Sequence, residues 1–304
     1  MKLRQVTLML AAFGTGGLSS LPASVPDTNI QQYGVGKTHG YTQSGPGTPT
    51  PTSYGFNAFV DATTNGVVNS AKVYGPSSGY FDTNGPQDLI VRGNNDGADF
   101  SVTGYLKTGA LNTDFPDDNS GNYKLKIDTG TTGGSEGGYD HVIQFNLGGD
   151  AYPTTIPTLT LDNGSWISGI YTVAATDHDT HFGWTFSDYN SSTDVVLFSI
   201  YATNGGGSDV VRVQFNGSNP GGYTVSANLL QAGVDYTGEL VFARIVDMPD
   251  DISNATGVAY YSMETKFSLQ AVPESSTYAM MGLGLIGIVV WMRRRTVTSN
   301  RDRA

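Results

Sequence analysis

The chain has 304 residues and no cysteine, which excludes disulfide bonds, thiolate metal sites and a cysteine nucleophile. Its formal net charge is −11, and residues 24–271 hold 25 of the 27 acidic residues but only nine of the 16 basic ones. A segment this acidic is not expected to bind nucleic acid or an anionic polysaccharide directly.

The first 23 residues have the features of a signal peptide. Lys2 and Arg4 form a basic start, residues 6–13 are mainly apolar, and Leu21-Pro22-Ala23 offers a cleavage site after Ala23. We therefore expect export through the Sec translocon.

Residues 24–53 differ in composition from the rest of the chain. They contain few apolar side chains and include a Ser/Thr/Pro-rich run over 44–53. Such a segment buries too little apolar surface to offset the entropy lost on ordering. We expect a disordered arm rich in Pro, Thr and Gly.

Residues 54–271 consist of short alternating runs separated by Gly, Asn, Asp and Pro. In the clearest run, Tyr123, Leu125 and Ile127 share one face, with charged residues between them. This period of two predicts an all-β, antiparallel sandwich or jelly roll of roughly 10 to 14 strands. A break near 150–157 would allow two subdomains. Further runs occupy 88–92, 100–106, 141–147, 166–174, 195–202, 209–215, 236–246 and 258–269.

Residues 272–304 form a distinct tail: a short motif at 272–277, an apolar stretch at 278–292 and a basic end at 293–304. At 1.5 Å per residue, the apolar stretch covers roughly 22 Å of a hydrocarbon core about 30 Å thick, so we predict a single short transmembrane helix. By the positive-inside rule, Arg293, Arg294 and Arg295 keep the C-terminal end of this helix on the cytoplasmic side of the membrane. The predicted anchor residues are Tyr278, Leu283, Leu285, Ile286, Ile288, Val289, Val290 and Trp291.

This order of motif, span and arginines resembles the PEP-CTERM sorting signal of Gram-negative bacteria. Val272, Pro273 and Glu274 match the family pattern, and Ser275 stands where the family usually has a second proline. The resemblance is limited to the tail. It implies recognition by exosortase, a membrane-embedded transpeptidase, near the Pro-Glu pair. The alternative is a plain C-terminal anchor helix that no enzyme reads.

The sorting resemblance also implies a route and a setting for the protein. An intermediate anchored in the inner membrane would be processed and delivered to the cell surface or extracellular matrix. Proteins with such tails accompany exopolysaccharide and biofilm systems, so a polysaccharide is a further expected partner.

The densest polar cluster in the body is Asp177-His-Asp-Thr-His181. In an extended chain Asp177, Asp179 and His181 lie on one face, where their oxygen and nitrogen atoms suit a divalent cation such as Ca²⁺. The alternative is a solvated loop between strands. No other cofactor is expected.

The remaining motifs favour a non-enzymatic structural or interaction role. The sequence contains no nucleophile elbow and no zinc-binding His-Glu-x-x-His. A carbohydrate-binding, lectin-like sandwich is the alternative, with Trp166 and Trp184 as sugar-stacking residues. A glycoside hydrolase is a third hypothesis. Because the body has only Glu136, Glu239 and Glu264, its acid pair would be Asp-based or distant in sequence.

Overall fold

The computed structural model describes residues 25–27, 29–130, 138–160, 164–175, 179–203 and 209–273. Most of these residues lie in strands, which confirms the all-β class. The elements are β1 (Val25–Pro26), β2 (Ile30–Gln43), β3 (Thr50–Ala62), β4 (Ser70–Tyr74), α1 (Tyr80–Asn84), β5 (Gln87–Asp88), β6 (Ile90–Val91), β7 (Gly97–Tyr105), α2 (Thr108–Asp114), β8 (Asp118–Asp128), β9 (His141–Leu147), β10 (Gly164–Ile167), β11 (Ile170–Ala175), β12 (Thr180–Gly183), β13 (Asp194–Ala202), β14 (Asp209–Asn216), β15 (Gly222–Val225), β16 (Asp235–Asp247), β17 (Ile252–Ser253) and β18 (Thr256–Pro273).

A ten-stranded sheet runs through the centre of the molecule. Its main order is β14-β13-β16-β18-β2-β3-β7-β6, and the β10-β11 hairpin joins it through β18. Most neighbours are antiparallel, as predicted, but β18 pairs in parallel with both β2 and β11. Parallel neighbours need long connections rather than tight hairpins. The last described strand therefore holds together segments from the start and the middle of the chain.

Two hydrophobic clusters lie against this sheet and make the fold sandwich-like. In the first cluster, strands β2 and β3 pack against the four-stranded sheet β5-β4-β8-β9. In the second, β13, β16 and the end of β18 pack against β11 and the two-stranded sheet β12-β15. The predicted break at 150–157 lies where the chain passes from the first cluster to the second. The central sheet contributes strands to both clusters.

The predicted disordered arm at 24–53 is wrong, because this segment supplies β2 and the start of β3. Strand β2 is central in the sheet, between β18 and β3. Its side chains Tyr33 and Val35 are fully buried in the first cluster. Glycines and threonines fill the other face of β2, so the average composition looks too polar to fold. Burial of one face and pairing at both edges offset the ordering entropy.

A third cluster runs along one face of the central sheet. It links Val195 and Leu197 of β13 to Phe59 of β3 through side chains of β16 and β18. Glycines on β2 make room for these side chains: a Cβ at Gly34 would lie 2.5 Å from the Val258 carbonyl oxygen, and one at Gly36 would lie 2.5 Å from the Tyr260 ring.

Strand β18 ends at the beginning of the predicted sorting motif. Val272 pairs with Ala174, and Pro273 pairs with Ala175, in the parallel register of β18 and β11. Within the described ranges, neither helix has the length and apolar character needed to cross a bilayer. The predicted signal peptide at 1–23 and the predicted span at 278–292 lie outside those ranges.

Candidate functional site

One face of the central sheet carries a groove with a cavity of about 180 Å³. Its lining comes from five strands of the central sheet, namely β2, β3, β7, β16 and β18. Its floor includes Gly40, Val241 and Tyr260. Seven serine and threonine residues line the groove: Thr38, Thr42, Thr52, Ser53, Ser101, Thr103 and Ser262.

The hydroxyl lining follows from the strand alternation. Thr38 and Thr42 lie on the face of β2 opposite the first cluster, and Ser262 of β18 is the register partner of Thr38. The Thr38 and Ser262 hydroxyl oxygens are 2.9 Å apart. On the floor, the Tyr260 hydroxyl donates to Asn57 Oδ1 at 2.9 Å. These bonds hold polar groups in place beneath an open groove.

One end of the groove is lined by Glu264 and Lys266, and Glu239 lies buried beside them. Glu239 of β16 is the register partner of Lys266 of β18, and Glu264 lies two residues before Lys266 on the same face. Lys266 Nζ is 3.2 Å from Glu239 Oε1 and forms a second, very short ion pair with Glu264. Ser199 Oγ donates to Glu239 Oε2 at 3.4 Å. We call Glu239, Glu264 and Lys266 the charged triad.

Burial sets the protonation behaviour of the charged triad. Glu239 is only 5% exposed, and this burial raises its pKa well above the usual value. The neighbouring carboxyl group of Glu264 raises the pKa of Glu239 further. Burial alone would lower the pKa of Lys266, but the charges of Glu264 and Glu239 outweigh it and raise this pKa. The triad thus favours a charged Lys266 beside a buried carboxyl group, Glu239, that binds its proton more tightly than a free glutamate.

The predicted metal ligands are not brought together by the described residues. Asp179 is exposed, and its Oδ1 accepts a hydrogen bond of 3.0 Å from the Ala227 backbone N–H. His181 lies on β12, with its Nδ1 3.1 Å from Thr224 Oγ1. Asp177 lies outside the described ranges. Inside them, no group of three or more His, Asp or Glu side chains is arranged to hold a metal ion.

The two tryptophans considered for sugar stacking do not form a surface platform. Trp184 is 1% exposed and belongs to the second hydrophobic cluster. Trp166 is half-buried against Tyr171, with ring centroids 5.2 Å apart. Their apolar faces pack inside the sandwich, so any sugar-binding role would need other residues.

The predicted tail residues are described only at their start. Val272 and Pro273 end β18, whereas Glu274 and Ser275 lie outside the described ranges, as do the anchor residues and Arg293 to Arg295.

Sequence reasoning singled out Glu239 and Glu264 as two of three body glutamates but did not place them together. Their proximity depends on the register between β16 and β18, which a single sequence does not reveal. One local indication was present: Glu264 and Lys266 are two residues apart on a predicted strand, which places their opposite charges on the same face.

Comparisons with known proteins leave the family open. No protein-family model matches the chain, and no curated protein matches it. Among solved structures, the FN1–FN3 domains of chicken CNTN1 align with 80% of this chain and 67% of that chain, at 11% identity and a TM-score of 0.23. Two marsupial T cell receptor structures align with 76% and 79% of this chain, covering 74% and 72% of theirs. Their identities are 12% and 10%, and their TM-scores are 0.16 and 0.20. At such TM-scores the similarity supports no functional inference.

Proposed function

We propose that this protein is an exported interaction protein whose concave groove binds one unit of a neutral, hydroxyl-rich ligand, of the kind a polysaccharide presents. The observation that carries the proposal is the groove itself, with its serine and threonine hydroxyls and with Glu264 and Lys266 of the charged triad at one end. Hydroxyl groups both donate and accept hydrogen bonds, so they match the hydroxyls of a sugar ring.

The size and charge of the groove narrow the ligand class. The cavity volume of 180 Å³ is below the roughly 300–1,000 Å³ of pockets that bind drug-sized ligands. The expected ligand is therefore a single sugar ring or the end of a chain. The acidic body disfavours an anionic ligand. Within the charged triad, Lys266 is already paired with Glu264 and Glu239, which leaves little net positive charge to attract an anion.

The groove geometry supports binding rather than glycoside hydrolysis. In glycosidases the two carboxyl groups stand about 5 to 9.5 Å apart, on either side of the bond to be cleaved. Here the carboxyl groups of Glu239 and Glu264 are both paired with Lys266, and Glu239 is buried. A glycosidic bond placed between the two carboxyl groups would have to displace the lysine.

The binding proposal is tested by titrating the purified full chain with a panel of neutral and acidic oligosaccharides. We expect neutral saccharides to bind and Thr103→Trp, on the exposed rim of the groove, to abolish binding. Thr64→Trp, in an exposed turn away from the groove, is the matched control and should bind normally. Absence of binding to every neutral saccharide, or equal binding by both variants, would contradict the proposal.

We further propose that the tail delivers the groove to the cell surface as an exosortase substrate, after an anchored stage in the inner membrane. Support comes from the Val-Pro-Glu motif, the apolar stretch and the arginines in the sequence. Because Val272 and Pro273 pair with β11, the start of the motif lies against the folded body. The processing enzyme would therefore meet the motif directly beside the sandwich.

Processing is tested by replacing Pro273 and Glu274 together with alanine in the native host. We expect the double variant to keep its tail, so that the C-terminal peptide remains in the membrane fraction by mass spectrometry. Ser268→Ala, at an exposed position earlier on β18, is the control and should be processed normally. Normal processing of the double variant would show that the Pro-Glu pair is not read.

A further inference from the structure

A second polar cluster lies on the opposite face of β2, within the first hydrophobic cluster and away from the groove. Lys37 is fully buried, and its Nζ donates hydrogen bonds to Asn112 Oδ1 at 2.9 Å and to Asp117 Oδ1 at 2.6 Å. Lys37 lies on β2, Asn112 on α2, and Asp117 just before β8. Two segments distant in sequence thus bring a carboxamide and a carboxyl group to the same amine.

Aromatic side chains surround this cluster, and their hydroxyl groups form hydrogen bonds to it and to the backbone beside it. The Tyr261 hydroxyl donates to Asp117 Oδ1 at 2.8 Å, and Lys37 Nζ lies 5.6 Å from the centre of the Tyr261 ring. Tyr152 packs edge-on against Tyr261 at 5.0 Å. The Tyr123 hydroxyl donates to the carbonyl of Pro116 at 2.8 Å, which fixes the backbone next to Asp117.

We propose that Lys37 and Asn112 form an intramolecular isopeptide bond, with Asp117 as the acid–base group. A lysine amine becomes a nucleophile when desolvation favours its neutral form, and an adjacent carboxyl group can carry its proton. Burial does lower the pKa of Lys37, against the opposing effect of Asp117. The hydrogen bonds hold amine and carboxamide together, as a reaction between fixed groups requires.

The reaction balances without an oxidant or a co-reactant. Asp117 takes a proton from the Lys37 ammonium group, and the neutral Nζ attacks the Asn112 side-chain carbonyl carbon. The new C–N bond forms, the bond from that carbon to Nδ2 breaks, and one proton of Nζ leaves with Nδ2 as ammonia. The ammonia then accepts the proton from Asp117. The products are a secondary amide and one ammonium ion, with no change of oxidation state.

Such a bond would suit this chain for two reasons. The chain has no cysteine, so a disulfide cannot link its strands. The proposed bond would tie β2, the central strand that neighbours both β18 and β3, to α2, at a separation of 75 residues. The side chain of Asp117 is 29% exposed, so ammonia would have a route out of the site.

The test is the intact mass of the folded, full-length protein after denaturation, followed by tryptic mapping. We expect a mass lower by one ammonia and a branched peptide that joins the segment running through Lys37 to Lys72 with the segment 108–124. Asp117→Ala should restore the full mass while circular dichroism shows a folded protein. Asp118→Asn, at the neighbouring carboxylate, is the matched control and should keep the cross-link.

The result that overturns the proposal is a folded wild-type chain with its full mass and ordinary cleavage after Lys37. A mass deficit that maps instead to a succinimide at an Asn-Gly pair, such as Asn65-Gly66, would overturn it equally, because succinimide formation also releases ammonia. A cross-link that persists in Asp117→Ala would exclude the role given to Asp117. The wild-type measurement decides the matter even if that variant does not fold.

Discussion

Replacing Lys266 with methionine is expected to lower the free energy of unfolding by about 2 kcal/mol at pH 8, because it leaves two adjacent carboxyl groups without their cation. Glu239 is buried, and Glu264 is 16% exposed at its side chain. The expected loss is below the roughly 3–5 kcal/mol of a fully buried broken pair because the Lys266 side chain is 40% exposed.

The effect of Lys266→Met should depend on pH in a defined direction. The pKa of Glu239 is raised in the folded state, so its favourable contribution is complete below the unfolded pKa of about 4.3. Above the unfolded pKa, the unfolded state has released the proton that the folded state still holds, so the free energy of unfolding falls as pH rises. The contribution of Glu239 is lost once pH passes the folded pKa. Loss of the lysine charge raises the folded pKa further, so the variant should approach wild-type stability near pH 4 and diverge above it.

Urea unfolding followed by tryptophan fluorescence at pH 4, 6 and 8 would measure this dependence. The double variant Glu239→Gln/Lys266→Met is the control, since it removes one carboxyl group together with the cation. It should recover most of the lost stability at pH 8. A Lys266→Met protein as stable as wild type at pH 8 would show that the charged triad contributes little to the fold.

The second large effect is expected from Gly34→Ala, with a loss of about 3 kcal/mol and roughly 10 °C in Tm. The added Cβ would lie 2.5 Å from the backbone oxygen of Val258 and 2.9 Å from the Phe59 ring. The first of these atoms belongs to the parallel partner strand, so relief requires a shift of β2 against β18. Such a shift would also disturb the groove, because β2 and β18 both line it.

Gly45→Ala is the matched control for Gly34→Ala, because no atom lies within 4 Å of a Cβ at that position. Replacing this glycine should leave stability unchanged or raise it slightly, because alanine lowers the conformational entropy of the unfolded chain. Thermal unfolding of both variants by circular dichroism would compare them. Equal Tm values for Gly34→Ala and wild type would mean that β2 and β18 are not packed as closely as described.

The alternation of side chains was enough to predict most strands, because it is a local property of the chain. The run at 141–147 is strand β9 with the same limits, and the run at 195–202 lies within β13. The run at 166–174 contains the β10-β11 hairpin rather than one strand. The turn at Ser168-Gly169 has positive φ angles. The aromatic and β-branched residues around it favour a strand, so the sequence pattern did not indicate the turn.

The sequence alone determined the all-β class, the acidic body and the absence of disulfides, since these depend on composition and on neighbours along the chain. It also contains the whole basis for the proposed sorting tail. Only the tertiary structure decided that the polar segment after residue 24 forms the central strand β2, because its burial comes from partners far away in sequence. The same long-range pairing assembles Glu239 with Lys266, and Lys37 with Asn112 and Asp117. Each of these contacts depends on strand register or on packing between distant segments, which no local pattern specifies.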